Sequence, residues 1–166
     1  MRILAGIFLL LGASLLQITL VTRISLLQGS VDLVLLVLVT WILLPGNRPD
    51  WKWGLPAGLM VGFASALPDW VLWIGYAGAA GTCLFLKQRI WQGQLLTLFS
   101  ATLLGTLCIH LATLAYLLFS TSPLDPIEAL NLITIPSILL NLIFILPIYA
   151  IMGELHKLIF PLEKQA

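Results

Sequence analysis

Long apolar runs, separated by short stretches that hold the charges, prolines and glycines, constrain this chain more than any other feature. Hydrophobic residues make up 60% of its 166 residues and charged residues only 9%, and the mean hydropathy is +1.08. A water-soluble domain of that composition would expose large apolar patches. We therefore predict a polytopic integral membrane protein, whose solvent is lipid.

Six apolar runs in the sequence predict six membrane spans, since each crossing needs about 20 mostly apolar residues. They cover residues 3–21, 31–44, 54–67, 70–86, 95–119 and 130–160, in a single transmembrane domain of residues 1–166. The alternation of a barrel strand is absent from the sequence, so the predicted fold class is all-α. The first run is interpreted as a retained signal anchor, because equally apolar runs follow it.

The basic residues predict the orientation of the spans. With a cytoplasmic amino terminus, seven of the eight Lys and Arg residues fall on one side, and only Arg23 falls on the other. Cytoplasmic loops carry this excess of positive charge in membrane proteins. All six tryptophans lie near predicted span ends, where their rings prefer the headgroup level. Both termini are therefore predicted to be cytoplasmic.

Small residues recur every four positions in the third span, which places them on one face of a helix. They are Gly54, Gly58, Gly62 and Ala66. The next span has small residues that could form a matching surface, namely Gly75, Gly78, Ala79 and Gly81. Such stripes let helix backbones approach closely in lipid. Two interpretations stay open: a tight hairpin of these two spans, or a surface that receives a helix from a partner protein.

Two ionisable residues in or beside the apolar runs are candidates for function. Asp32 could lie in the first turn of the second span, behind a Ser30 cap, or pair with Arg23 at the outer mouth. His110 lies deep in the fifth span, where an ionisable group needs an internal partner. We interpret it as a neutral, hydrogen-bonded structural residue, because no second acid or histidine is predicted at its depth.

Polar and proline residues interrupt the last span. Pro136 and Pro147 each remove a backbone donor, which frees the carbonyl groups of Leu132 and Ile143, so a bend or break is expected at each. The amide of Asn141 could bond to those groups or to a neighbouring helix.

Known catalytic patterns are absent from the sequence. It contains no GxSxG, HExxH, P-loop or dinucleotide-binding motif, and no cluster of acids and histidines that would hold a metal. Cys83 and Cys108 lie in apolar runs and are interpreted as buried thiols. No basic run indicates nucleic-acid binding. We therefore expect no enzymatic activity and no cofactor, and favour assembly or passive binding.

Four segments resemble the bacterial rod shape-determining protein MreD family, and they extend over nearly the whole chain. They are LLQITLVTRISLLQG from Leu15, VDLVLLVLV from Val31, GLPAGLMVGFASALPDW from Gly54 and LLNLIFILPIYAIMGEL from Leu139. The positions that look typical of the family are Gln17, Arg23, Asp32, Gly58, Gly62, Asn141 and Pro147. The chain departs from the family at Val31, where a proline is usual, and at Ser65 and Ala66, where an acid is often found.

The resemblance implies six helices, with a fold similar to the substrate-binding S components of energy-coupling-factor transporters. It implies a non-catalytic scaffold of the cell-wall elongation complex in the bacterial cytoplasmic membrane. The implied partners are the transmembrane helix of MreC, the filament protein MreB, the glycosyltransferase RodA and a class B penicillin-binding protein.

Two other functions stay open. An S component of a small-molecule transporter would share the fold and size, and would need an outer pocket lined by aromatic and polar residues. A lipid-modifying membrane enzyme would show turnover that depends on His110 or Asp32.

Overall fold

The computed structural model describes residues 2–19, 25–26, 28–45, 50–89, 93–120 and 125–160. Its helices are α1 (Arg2–Thr19), α2 (Leu33–Leu43), α3 (Gly54–Gly62), α4 (Asp69–Arg89), α5 (Gln94–Phe119), α6 (Pro126–Ala129) and α7 (Ile135–Ile159). A 3-10 turn, Trp51–Trp53, precedes α3, and a π-helical turn, Leu130–Thr134, joins α6 to α7. Short turns connect these helices, and the described residues contain one further element, the antiparallel two-residue strands β1 (Ser25–Leu26) and β2 (Gly29–Ser30). The predicted all-α class is therefore confirmed.

Three helical segments are long and apolar enough to cross a membrane. They are α4, α5 and the continuous segment Pro126–Ile159. The helix over residues 3–19 and α2 are apolar but shorter.

The third predicted span is shorter than expected. Helix α3 has nine residues, or about 14 Å of helix, against a hydrocarbon core of about 30 Å. The chain turns after Gly62, and the Ser65 hydroxyl accepts the Leu67 N–H at 3.1 Å. A proline disfavours helical geometry at the residue before it, and Pro68 has this effect on Leu67. The predicted helix over 54–67 is therefore wrong in its second part.

Helix α2 lies at the centre of the bundle. Every residue from Val34 to Leu43 is buried, and the helix contacts α1, α3, α4, α5 and α7. This sequence is apolar on all sides, as expected for an interior helix. At its carboxyl end the Lys87 ammonium group donates to the Ile42 carbonyl at 2.6 Å, which satisfies a group that the helix itself leaves unpaired.

Aromatic contacts occur at both ends of the bundle. At the end predicted to be outer, Trp70 packs edge-on against Tyr116, with 5.7 Å between ring centroids. At the end predicted to be cytoplasmic, Trp41 packs against Trp53 at 5.8 Å and against His156 at 6.2 Å. Trp41 is only 3% exposed, so this ring packs inside the bundle and does not face the headgroups.

Candidate functional site

A buried polar network connects five helices around the amino end of α2. Asp32 is the N-cap of that helix, and one carboxylate oxygen accepts the Leu35 N–H at 2.9 Å. The other oxygen accepts the hydroxyl of Tyr76 from α4 at 2.7 Å. A carboxylate in this position satisfies a backbone donor and lies at the positive end of the helix dipole. The expectation that Ser30 caps α2 with Asp32 inside the first turn is wrong.

Gln17 fastens α1 to the same turn. Its side-chain oxygen accepts the Val34 N–H at 3.1 Å, and the side chain also hydrogen-bonds to the Asp32 carboxylate. Helix α1 therefore contributes a donor and an acceptor to the network. The Gln17 side chain thus binds both the Val34 N–H and the Asp32 carboxylate at the amino end of α2.

Asn141 joins α7 to two other helices. Its side-chain oxygen accepts the Asp32 N–H at 2.8 Å, and its amide nitrogen donates to the Thr106 hydroxyl of α5 at 3.0 Å. Asn141 is fully buried. Of the two roles predicted for this amide, the structure shows the bond to neighbouring helices.

The strand pair packs against the start of α7. The Ser137 hydroxyl accepts the Ser30 N–H at 3.1 Å, and the Leu132 carbonyl accepts the Gln28 N–H at 3.1 Å. A side chain at Gly29 would lie 2.6 Å from the Ser137 nitrogen, so only glycine allows this approach. The Leu132 carbonyl, which Pro136 was predicted to leave without a donor, therefore accepts the Gln28 N–H, which lies outside the helix.

The two prolines have different effects on the last helix. Before Pro136 the chain forms the π turn, and the regular helix begins at Ile135. At Pro147 the helix is continuous, so the predicted break does not occur there. The residue whose carbonyl lacks the Pro147 donor, Ile143, has a side chain that is 66% exposed.

The glycines of α3 pack against the backbone of α4. A Cβ at Gly58 would lie 2.9 Å from the Leu72 carbonyl oxygen, and one at Gly62 would lie 2.6 Å from the Asp69 carboxylate. Gly54 meets the α4 backbone at residues 76–77. The hairpin interpretation of this stripe is thus the one that the geometry shows, and no room is left for a partner's helix. Ala66 was predicted to extend the stripe, but it is exposed and lies after the end of α3.

The small residues of α4 face a different helix from the one expected. A Cβ at Gly75 would lie 3.1 Å from the Cα of Ile109, and one at Gly78 would lie 3.7 Å from the Cβ of Cys108. Both neighbours belong to α5. The expectation that these glycines match the stripe of α3 is wrong, because α4 contacts α3 and α5 with different faces.

His110 lies beside the π turn. Its Nδ1 is 3.2 Å from the Thr134 hydroxyl, and it lines a cavity of about 240 Å³ between α5 and the start of the last helix. Among the described residues no group of three His, Cys, Asp or Glu side chains could hold a metal ion. The geometry is that of a hydrogen-bonded histidine held between two helices.

The network brings together three residues that were predicted separately from the sequence: Gln17, Asp32 and Asn141. Arg23, the predicted partner of Asp32, lies outside the described residues. Tyr76, Thr106 and Ser137, which also bind in this region and are buried, were not predicted from the sequence. Thr102 and Thr106 lie one helical turn apart in an apolar run, and this spacing could have predicted a polar face on α5.

In the described part of the chain, the polar groups of this network bind one another. Every buried side-chain nitrogen and oxygen there has a hydrogen-bond partner. The Asp32 carboxylate accepts from a backbone amide, a phenol and a glutamine, so both of its oxygens are bound within the protein. The arrangement is suited to fixing the relative positions of helices.

Comparison with family models, curated proteins and solved structures identifies no match for this chain. Membership of the MreD family therefore stays a prediction from the sequence.

Proposed function

We propose that this chain is a non-enzymatic membrane scaffold of the bacterial cell-wall elongation complex, similar to MreD proteins. The observation that carries the proposal is the network around Asp32, in which the intramembrane polar groups bind one another. Polar groups inside a membrane protein usually mark transport or catalysis. Here they hold five helices together, which favours a rigid body that positions other proteins.

The topology that we propose has six membrane segments and both termini in the cytoplasm. Lys87 and Arg89 in the last turn of α4, and Lys157 in the last turn of α7, support it, because both helices would end at the cytoplasmic face. The short α2 and α3 would enter the bilayer with their ends covered by longer neighbours. The proposed location is the bacterial cytoplasmic membrane.

The proposed docking surface is an apolar groove between α1 and α7, which we call the α1/α7 groove. It has a volume of about 270 Å³ and its lining includes Phe8, Gly12, Leu16, Val37, Ile148 and Met152. A Cβ at Gly12 would meet no atom within 4 Å, so this glycine is not needed for packing inside the chain. Small residues on an open face let a second helix approach closely. We assign the groove to the transmembrane helix of MreC, with MreB, RodA and a class B penicillin-binding protein joining the same assembly.

Gly12→Leu tests this assignment, because a Cβ at Gly12 meets no atom within 4 Å and the larger side chain would occupy part of the α1/α7 groove. Gly81→Leu is the matched control, since a Cβ at Gly81 on α4 also meets nothing within 4 Å. We expect Gly12→Leu to abolish co-purification with MreC and to round rod-shaped cells, as depletion of the chain would. Gly81→Leu should leave both unchanged. If both variants retain MreC, the groove is not the docking surface; if the unmodified chain does not co-purify with MreC, the scaffold proposal fails.

A cavity between α1 and α3 favours the S-component alternative. It has a volume of about 200 Å³ and is lined by Ser14, Gln17, Ile18, Val34, Met60, Val61, Ala64 and Ser65. None of these side chains is aromatic, and the Gln17 oxygen is already occupied by the Val34 N–H. The volume is also below the roughly 300 Å³ of the smallest typical ligand pockets. We therefore rank this function second; a vitamin-like molecule retained through purification would reverse the order.

A further inference from the structure

A cleft at the amino ends of α1 and α3 combines one positive, one negative and several apolar side chains. It has a volume of about 230 Å³ and is lined by Ile3, Ile7, Asp50, Lys52, Trp53 and Pro56. Both helices begin at this cleft, so the proposed topology places it at the headgroup level of the cytoplasmic leaflet. The adjoining Trp51 is 48% exposed, as is typical of a ring at the membrane interface.

The two charges of the cleft are not paired with each other. Asp50 accepts the backbone N–H of Lys52 at 3.0 Å, which fixes the carboxylate in place. Within the described ranges, the salt bridge that the structure contains is on α7, where Lys157 and Glu154 are 2.7 Å apart. The cleft therefore presents a separate carboxylate and a separate ammonium group beside an apolar wall.

We propose that this cleft binds a phospholipid of the cytoplasmic leaflet, and that it prefers an ethanolamine headgroup. The lipid ammonium would donate to the Asp50 carboxylate, while the Lys52 ammonium would donate to the lipid phosphate. Both are charge-assisted hydrogen bonds, which are stronger than neutral ones. The inference rests on the proposed topology, since only a cleft at the headgroup level meets both ends of such a lipid.

Headgroup chemistry decides between the common phospholipids. A choline headgroup carries the same charges but has no N–H to donate to Asp50. A glycerol headgroup leaves the lipid with a net negative charge, which the Asp50 carboxylate repels. The ethanolamine headgroup alone among these three matches both charged side chains and the donor requirement.

The size of the cleft indicates which part of the lipid it would hold. Its volume is below the roughly 300 Å³ of a pocket that encloses a small molecule. The headgroup and the first methylene groups would occupy it, and an acyl chain would continue over Ile7 and Ile3. Ile3 is 68% exposed, so this apolar surface is free within the chain.

Native mass spectrometry of the purified full chain tests the proposal. Phosphatidylethanolamine, phosphatidylcholine and phosphatidylglycerol with identical acyl chains would be added back in equal amounts. We expect phosphatidylethanolamine to be retained about tenfold more strongly than phosphatidylcholine, the effect of about one charge-assisted hydrogen bond. Equal retention of these two lipids, or a preference for phosphatidylglycerol, would overturn the proposal.

Two variants separate the two charges. Asp50→Asn removes the negative charge, but its side-chain oxygen still accepts the Lys52 N–H, so the local turn is kept. This variant should lose the preference for phosphatidylethanolamine over phosphatidylcholine. Lys52→Gln should weaken the binding of both lipids by about tenfold. A preference that persists in Asp50→Asn, or undiminished binding in Lys52→Gln, would contradict the assignment of these residues.

The α7 pair supplies the matched controls. Glu154→Gln and Lys157→Gln make the same charge changes at two exposed residues that already bind each other. Neither should alter lipid retention; a loss equal to that of the cleft variants would show that total charge, and not the cleft, sets the binding. Because the measurement uses the isolated chain, failure to bind MreC does not affect it, and a failure here leaves the docking proposal intact.

Discussion

Asn141 is the residue whose replacement should disturb the bundle most directly. Asn141→Leu keeps the number of side-chain heavy atoms, so it removes hydrogen bonds without opening a large cavity. The Asp32 N–H would lose its acceptor, now 2.8 Å away, inside the protein. The Thr106 hydroxyl would lose one donor but would keep its own bond to the Thr102 carbonyl at 2.8 Å.

The expected loss of stability follows from these two changes. A buried donor left without a partner costs about 1–3 kcal/mol. A side-chain hydrogen bond between membrane helices contributes about 0.6 kcal/mol on average. We therefore expect Asn141→Leu to lower the free energy of unfolding by about 2–4 kcal/mol.

The assay is reversible unfolding in mixed micelles of dodecylmaltoside and sodium dodecyl sulfate, followed by circular dichroism. Asn131→Leu is the matched control, because Asn131 precedes the same helix but is exposed, and its replacement should change stability by less than about 0.5 kcal/mol. Combining Asn141→Leu with Thr106→Val should reveal a coupling of about 0.6 kcal/mol. If Asn141→Leu unfolds like the wild type, or no differently from Asn131→Leu, the network does not hold the helices together.

Three further changes test the packing around the network, in the same unfolding assay. Gly58→Leu should destabilise the chain by about 1–3 kcal/mol or prevent folding, because its Cβ would press on the α4 backbone, whereas Gly81→Leu should be neutral; equal effects would refute the close contact. Tyr76→Phe should cost about 1–3 kcal/mol, since one oxygen of Asp32 loses its donor, and a neutral result would show that this hydroxyl is not needed. Lys87→Met should lower the free energy of unfolding by about 1 kcal/mol, because it leaves the Ile42 carbonyl at the end of α2 without a donor. An unchanged unfolding midpoint would show that the hydrogen bond from Lys87 does not stabilise the chain.

The candidate site was predictable in its members but not in its arrangement. Gln17, Asp32 and Asn141 are conspicuous as polar residues in or beside apolar runs, so the sequence singles them out. Their meeting was not predictable, because Asp32 and Asn141 are 109 residues apart in the chain. Ser30 and Asp32 are equally good caps by composition, and only the backbone geometry assigns the role to Asp32.

The glycines illustrate the same division between local and tertiary information. The four-residue spacing of Gly54, Gly58 and Gly62 predicts a smooth helix face, and these three residues do pack closely against a helix. The spacing does not say which helix covers the face of Gly75 and Gly78. That face packs on α5, because α4 lies between α3 and α5.

The sequence by itself determined the class of this protein: an all-helical chain with segments apolar enough to cross a membrane. Hydropathy is a sum over neighbouring residues, so it can be read without knowing the fold. Only the tertiary structure decided that α2 is the buried centre, that α3 stops at Gly62, and that Asn141 satisfies the backbone of Asp32. These features depend on which helices lie side by side, and contacts between distant segments leave no periodic pattern in the chain.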